Sequence, residues 1–115
     1  MQIQVTKDER VTRVRIVGDM TIYNAAEIKQ QLLMSVAECA AVVINLADVA
    51  EIDSAGFQQL YLAKREALRA GKPLHLTEHS AAIREVIALY HMESYFGDPV
   101  GIPGVSAPHD AGAAL

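Results

Sequence analysis

A single cysteine, Cys39, occurs in the chain's 115 residues, so no disulfide can close within it, which suits a reducing compartment. No apolar run approaches the roughly 20 residues that cross a bilayer. The N-terminal Met1-Gln2-Ile3-Gln4-Val5-Thr6 alternates polar and apolar residues and lacks the apolar core of a signal peptide. The expected location is cytoplasmic, without membrane insertion. Basic residues are outnumbered, ten against fourteen acidic, for a formal net charge of −4, which argues against nucleic acid as a partner. There is no internal repeat and no glycine-rich phosphate-binding loop, so no cofactor is expected. His75 and His79 are four apart but straddle a strand end and a turn, with no cysteine nearby, so no metal site is expected either.

What remains is a globular pattern. About half the residues are apolar and the charges are interspersed, as in a folded single domain. Ile3 and Val5, then Val11, Val14, Ile16 and Val17, mark two strands around the charged turn Asp8-Glu9-Arg10. Asn24 reads as the N-cap of a first helix, with Glu27 as its capping-box partner and Tyr23 and Ile28 as a hydrophobic staple. Ile28, Leu32 and Val36 give that helix one buried face, and Cys39 at its end reads as a small filler. Ala41–Leu46 is apolar on both faces and β-branched, the pattern of a central strand covered by helices. A loop is predicted over 47–53, then a second helix from Ser54 to a stop at Gly71, with Phe57, Leu60, Tyr61 and Leu68 in the core and Gln58, Gln59, Arg65 and Arg69 outside. Lys64, Arg65, Arg69 and Lys72 give the end of that helix a basic character. Leu74 and Leu76 mark a further strand, and Ser80 caps a third helix carrying Ile83, Val86, Ile87 and Tyr90 on one stripe.

This order, β-β-α-β-α-β-α, predicts an α/β fold. Its mixed four- to five-stranded β-sheet packs with three to four helices, the first strand antiparallel to its neighbour and the others parallel. The domain is expected to span 1–96. Residues 97–115, rich in Pro, Gly and Ala and free of Lys and Arg, are expected to form a mobile tail, with Val100 and Ile102 able to add an edge strand.

The most informative stretch is Glu51-Ile52-Asp53-Ser54-Ala55-Gly56-Phe57, which places a serine where a loop enters a helix. One reading is structural: the Ser54 hydroxyl caps the helix. The other is functional, because a phosphate on Ser54 would meet unsatisfied N–H groups and a favourable helix dipole. Gly56 in the first turn would leave room for a partner. A hydrolase nucleophile elbow fits poorly, since Ile52 stands where glycine is needed and no histidine is placed beside Ser54. The expectation is of a non-enzyme.

The stretch resembles the signature of STAS domains, in which an apolar strand and short loop lead into Asp-Ser-x-Gly. Val17-Gly18-Asp19-Met20 resembles that family's turn before the first helix. Gly71-Lys72-Pro73-Leu74 is similar to its approach to the last strand, and Ala82–Leu89 to its last helix. The resemblance covers about residues 3–96. It implies an anti-sigma factor antagonist-like switch whose partner is an anti-sigma factor and serine kinase with a histidine-kinase-like ATPase fold, reset by a serine phosphatase. Carried over by position, Ser54 is the phosphorylated residue, Asp53 its acidic neighbour and Gly56 the small residue at the contact. The first turn of the second helix is expected beside the Gly18-Asp19 loop at one sheet edge, so Asp19, Asp53, Ser54, Ala55, Gly56, Gln58 and Gln59 are the expected partner-binding surface. Ala55 departs from the commoner hydroxyl residue and Phe57 from an aliphatic one. A second role within the family is also implied: an accessory subunit binding the ATPase of an ABC lipid transporter, which Ala88-Leu89-Tyr90-His91-Met92-Glu93 resembles.

Overall fold

A hairpin opens the chain: strand β1 (Gln2–Lys7) pairs antiparallel with β2 (Val11–Met20), setting Ile3 opposite Ile16 and Val5 opposite Val14. The Asp8 carboxylate closes the turn by accepting the N–H groups of Arg10 and Val11 at 3.1 and 3.0 Å. The computed structural model describes residues 1–96. The expected tail at 97–115, with its edge strand at Val100 and Ile102, lies outside the described residues.

β2 runs longer than predicted. Gly18, Asp19 and Met20, read as a turn, continue the strand through a bulge between Gly18 and Asp19. Gly18 there has φ +109, a conformation that side chains resist. Before the bulge, β2 pairs in parallel with β3 (Ala41–Asn45); after it, with β4 (Val49–Ile52). β4 falls where a loop was predicted. Val49 and Ile52 are its only large apolar residues, so the composition resembles a connection, and pairing with the end of β2 is what makes it a strand. β3 also pairs in parallel with β5 (Leu74–Thr77), giving the order β1-β2-β3-β5 with β4 on β2. Among the described residues the mixed sheet has five strands.

Helices cover the sheet face that carries Val14, Ile16, Val42, Ile44, Leu74 and Leu76, all part of one buried cluster. Helix α1 (Ala25–Glu38) buries Ile28, Leu32 and Val36 as its spacing required. Its predicted N-terminal devices are not formed. Asn24 occupies the cap position without a capping bond, its amide instead donating to the Asp19 carbonyl at 2.8 Å. Tyr23 is 93 % exposed, so it does not staple onto Ile28. Cys39 follows α1 and its thiol bonds the buried Thr12 hydroxyl.

Helix α2 (Ser54–Arg69) packs against α1 and buries Leu60, Ala63 and Ala67, whereas Leu68 is 57 % exposed. Of the four cations at the end of α2, Arg65 and Arg69 are exposed, whereas Lys64 and Lys72 are held by backbone carbonyls. The Lys64 ammonium is buried and donates to the Leu74 carbonyl at 3.0 Å, while Lys72 donates to the Val36 and Ala37 carbonyls at 2.7 and 3.2 Å and so caps α1. Gly71 ends α2 as expected, at φ +69, with Lys72 N–H returning to the Ala67 carbonyl.

Ser80 caps α3 (Ala81–Leu89) by accepting the Ile83 N–H at 3.3 Å. Ile83 and Ile87 are buried, whereas Tyr90, placed on the core stripe by its spacing, is 44 % exposed. His75 is buried in β5, and His79 lies beyond the left-handed Glu78. A short helix not predicted, α4 (Glu93–Phe96), buries Phe96 edge-on against Phe57 and stacks Tyr95 on Tyr61.

Candidate functional site

β2 and β4 run parallel, so Met20 and Ile52 end side by side and the segments that follow them share one edge of the sheet. Asp53 ties those segments together. Its N–H donates to the Met20 carbonyl at 3.1 Å. One carboxylate oxygen accepts the Gly56 N–H at 2.9 Å, and the other accepts the Ile22 N–H at 2.9 Å. Asp53 is thus the N-cap of α2 and also the anchor of the loop leading to α1. The Gly56 amide, followed by those of Ile22 and Ala55, holds the Asp53 carboxyl below its ordinary range, against a smaller opposing push from burial.

Because Asp53 occupies the cap, Ser54 does not. The capping role considered for Ser54 is corrected by the structure: Ser54 is the first residue of α2 and exposed, and among the described residues its hydroxyl has no hydrogen-bond partner. The serine is therefore available to solvent without breaking a structural bond.

Gly56 is corrected too. It is buried and faces inward rather than toward a partner. A Cβ there would lie 2.6 Å from the Met20 carbonyl carbon and 2.9 Å from the Met20 Cβ, with the carbonyl oxygen closer still. Glycine is needed because the first turn of α2 rests directly on the end of β2. Gln59, expected outside, also turns inward: its amide nitrogen donates to the Ala55 carbonyl at 3.1 Å and its Oε1 is buried without a partner. Of the seven predicted contact residues, Asp19, Ser54 and Gln58 are exposed, Asp53 and Ala55 are half-buried, and Gly56 and Gln59 are buried.

Two features of this edge escaped the sequence reading. Ile22, 67 % exposed, and Tyr23 project from the loop that Asp53 anchors, so an apolar knob stands beside Ser54. On the other side, Ser54, Ala55, Phe57, Gln58, Tyr61, Tyr90 and Met92 line an open groove of about 480 Å³. Its floor is aromatic, with Tyr90 stacked on Phe57 at a centroid distance of 4.9 Å. The signal was present in the sequence but was assigned to other roles: Tyr23 to a staple, and Tyr61 and Tyr90 to the core. Among the described residues, no group of three or more His, Cys, Asp or Glu side chains is placed to hold a metal ion, and no helix is long and apolar enough to cross a membrane.

A family model described as "Mlab, STAS domain" matches residues 3–98. The chain belongs to the STAS domain family. Solved structures of similar fold include an anti-sigma factor antagonist from Mycobacterium paratuberculosis, with TM-score 0.74 and 23 % identity over 99 % of this chain and 92 % of that one. The unphosphorylated anti-sigma factor antagonist SpoIIAA matches with TM-score 0.69 and 15 % identity, covering 79 % and 82 % of the two chains. The phosphorylated form of the Bacillus cell fate determinant SpoIIAA matches with TM-score 0.68 and 15 % identity, covering 82 % and 87 %. At these identities the likeness establishes the fold, and it is the fold of anti-sigma factor antagonist-like STAS domains.

Proposed function

We propose that this STAS domain is a cytoplasmic docking switch of the anti-sigma factor antagonist type. In this reading Ser54 is phosphorylated by a partner serine kinase and restored by a serine phosphatase, and the unphosphorylated form binds the partner. The observation that carries the reading is the release of Ser54 from capping by Asp53, which leaves an unbonded hydroxyl on the surface at a helix start. A structural serine would use that hydroxyl; a modifiable one must present it.

The same geometry supplies the switch. The Gly56 N–H of the first turn is already engaged by Asp53. A phosphate on Ser54 therefore brings about −1.5 to −2 charges beside a carboxylate that keeps that amide, and the phosphate is directed outward. It then stands between the Ile22–Tyr23 knob and the aromatic groove, the apolar surfaces a protein partner would cover. Desolvating that charge opposes docking, whereas an unmodified serine does not. No step in this scheme requires catalysis by the domain itself.

The test is to isolate the chain from its own cells and map phosphate by mass spectrometry, then compare partner recovery by wild type and Ser54→Asp. A single phosphate at Ser54, and a serine kinase captured by wild type but not by Ser54→Asp, is the expected result. Phosphate at Ser35, Ser80 or Ser94 instead would overturn the assignment. Capture of a transporter ATPase by a chain never phosphorylated at Ser54 would replace the reading with the accessory-subunit role.

A further inference from the structure

Strand β1 has a neighbour on one side only: among the described residues it pairs with β2 and forms an edge of the sheet. The Asp8 N–H bonds the Val11 carbonyl at 3.1 Å. Alternation along an antiparallel ladder then turns the backbone groups of Gln4 and Thr6 toward β2 and those of Ile3, Val5 and Lys7 away from the sheet. Five of the six β1 residues are exposed. No proline, glycine or bulge interrupts the strand, and its single charge is Lys7 at the far end. Such edges are usually blunted by those devices.

The flank of this edge is apolar. Met1, Val5 and Met34 of α1 are all exposed. Met34 lies one turn before Glu38, whose carboxylate holds the Lys7 ammonium at 2.6 Å, so Met34 shares the α1 face that overlooks β1.

We propose that this edge pairs with the same edge of a second copy, antiparallel about a two-fold axis at Gln4. The strand is self-complementary in that register. Ile3 meets Val5 of the second copy on the helix-covered face, and Gln2 meets Thr6 of the second copy on the other face. Lys7 falls opposite Met1 of the second copy at the end of the pairing, its ammonium held by Glu38. Moving the axis by half a residue sets Ile3 against Thr6 and Val5 against Gln4, mixing the two faces. Centring it on Gln4 also pairs the outward backbone groups of Ile3 with those of Val5 in the second copy.

β3 and β4 both lie on the opposite side of β2 from β1. The paired form therefore leaves both Ser54 surfaces uncovered, and this inference does not depend on the switch. A contact of one strand pair and a few flanking side chains is smaller than the roughly 1,200–2,000 Å² of stable complexes, so association is weak and concentration-dependent.

Sedimentation equilibrium of the full chain from micromolar to millimolar concentration should show the weight-average mass rising toward twice that of one chain. Val5→Pro removes an outward N–H that β2 does not use, at a position where an edge proline is tolerated. It should hold the single-chain mass while keeping the wild-type circular dichroism. The register is read by cross-linking in a Cys39→Ser background. Gln4 faces its own copy in a non-hydrogen-bonded pair, where Cα atoms lie about 4.5 Å apart, within disulfide reach. Oxidised Gln4→Cys should give a covalent dimer; Gln2→Cys and Thr6→Cys should do so only when mixed. A single-chain mass at every concentration overturns the proposal. So does folded Val5→Pro that dimerises like wild type, or, should that variant unfold, failure of Gln4→Cys to cross-link.

Discussion

Replacing Gly56 with alanine sets helix propensity directly against packing. In an exposed helix interior the change would stabilise by about 1 kcal/mol. Here the new Cβ meets the Met20 carbonyl carbon at 2.6 Å, against the roughly 3.5–4.0 Å of an ordinary carbon contact, so the first turn of α2 must retreat by about 1 Å. Met20 is fully buried and cannot yield toward solvent. Retreat also loosens the Asp53 N–H to Met20 bond and disturbs the cap on the Gly56 amide. Overpacking costs about 1–3 kcal/mol and a weakened cap about 1 more, which outweighs the propensity gain. Gly56→Ala should therefore lose about 2 kcal/mol. In urea, with a slope of about 1–3 kcal/mol/M for a protein this small, that lowers the midpoint by about 1 M. Gly56→Arg, a variant that an open contact surface would accept, should lose more. A Gly56→Ala midpoint equal to or above wild type would refute the claim that α2 rests on β2 at this point, and would return Gly56 to the partner surface.

Ser54→Asp should leave stability within about 1 kcal/mol of wild type, since the helix dipole favours the new charge, Asp53 opposes it and no capping bond is lost; a thermal melt far below wild type would contradict this. Asp53 titrates below its ordinary value near 3.8 in the folded state, so its contribution is fully present above that pH and is lost as pH falls through the lower folded value. Acid unfolding of Asp53→Asn should lack that component, and curves of identical shape would remove Asp53 as an ionised anchor. Tyr23→Ser should change stability by less than about 0.5 kcal/mol, because the side chain is exposed, yet weaken partner capture; unchanged capture would take the knob out of the docking surface.

Periodicity was a sound guide wherever side chains decide the outcome. Ile28, Leu32 and Val36 on α1, the β-branched run of β3 and the glycine stop after α2 are stated in residue types that do little else. It misled where backbone geometry or a small residue decides. β4 exists because β2 continues past Gly18 to receive it, a long-range pairing that Val-Ala-Glu-Ile does not announce. Ala63 and Ala67 are buried on α2 while Leu68, expected in the core, is exposed, so hydrophobicity alone did not select the buried stripe. At the site, Asp-Ser-x-Gly was legible as a helix start. The division of labour within it was not: only the fold shows that aspartate caps, glycine packs and serine is left over.

The two partners of β2 also act as a ruler. β3 and β4 run in the same direction along one side of β2, so they form a single broken line that ends at Ser54. Arg15 aligns with Asn45, Gly18 with Val49 and Asp19 with Glu51, so the line holds two residues more than the strand it follows. That slack is spent in the turn at Leu46–Asp48 and at Ala50, while the pairing of Ile52 with Met20 fixes where the chain reaches the sheet's edge. Ala50 is the residue that β2 leaves unmatched, so deleting it would let Glu51 follow Val49 in step with Gly18 and Asp19 and would leave Ile52 beside Met20. The reach of the serine beyond the sheet is thus set by where the line is tied to β2 at its last step, and the spare residues upstream can change in number without moving it.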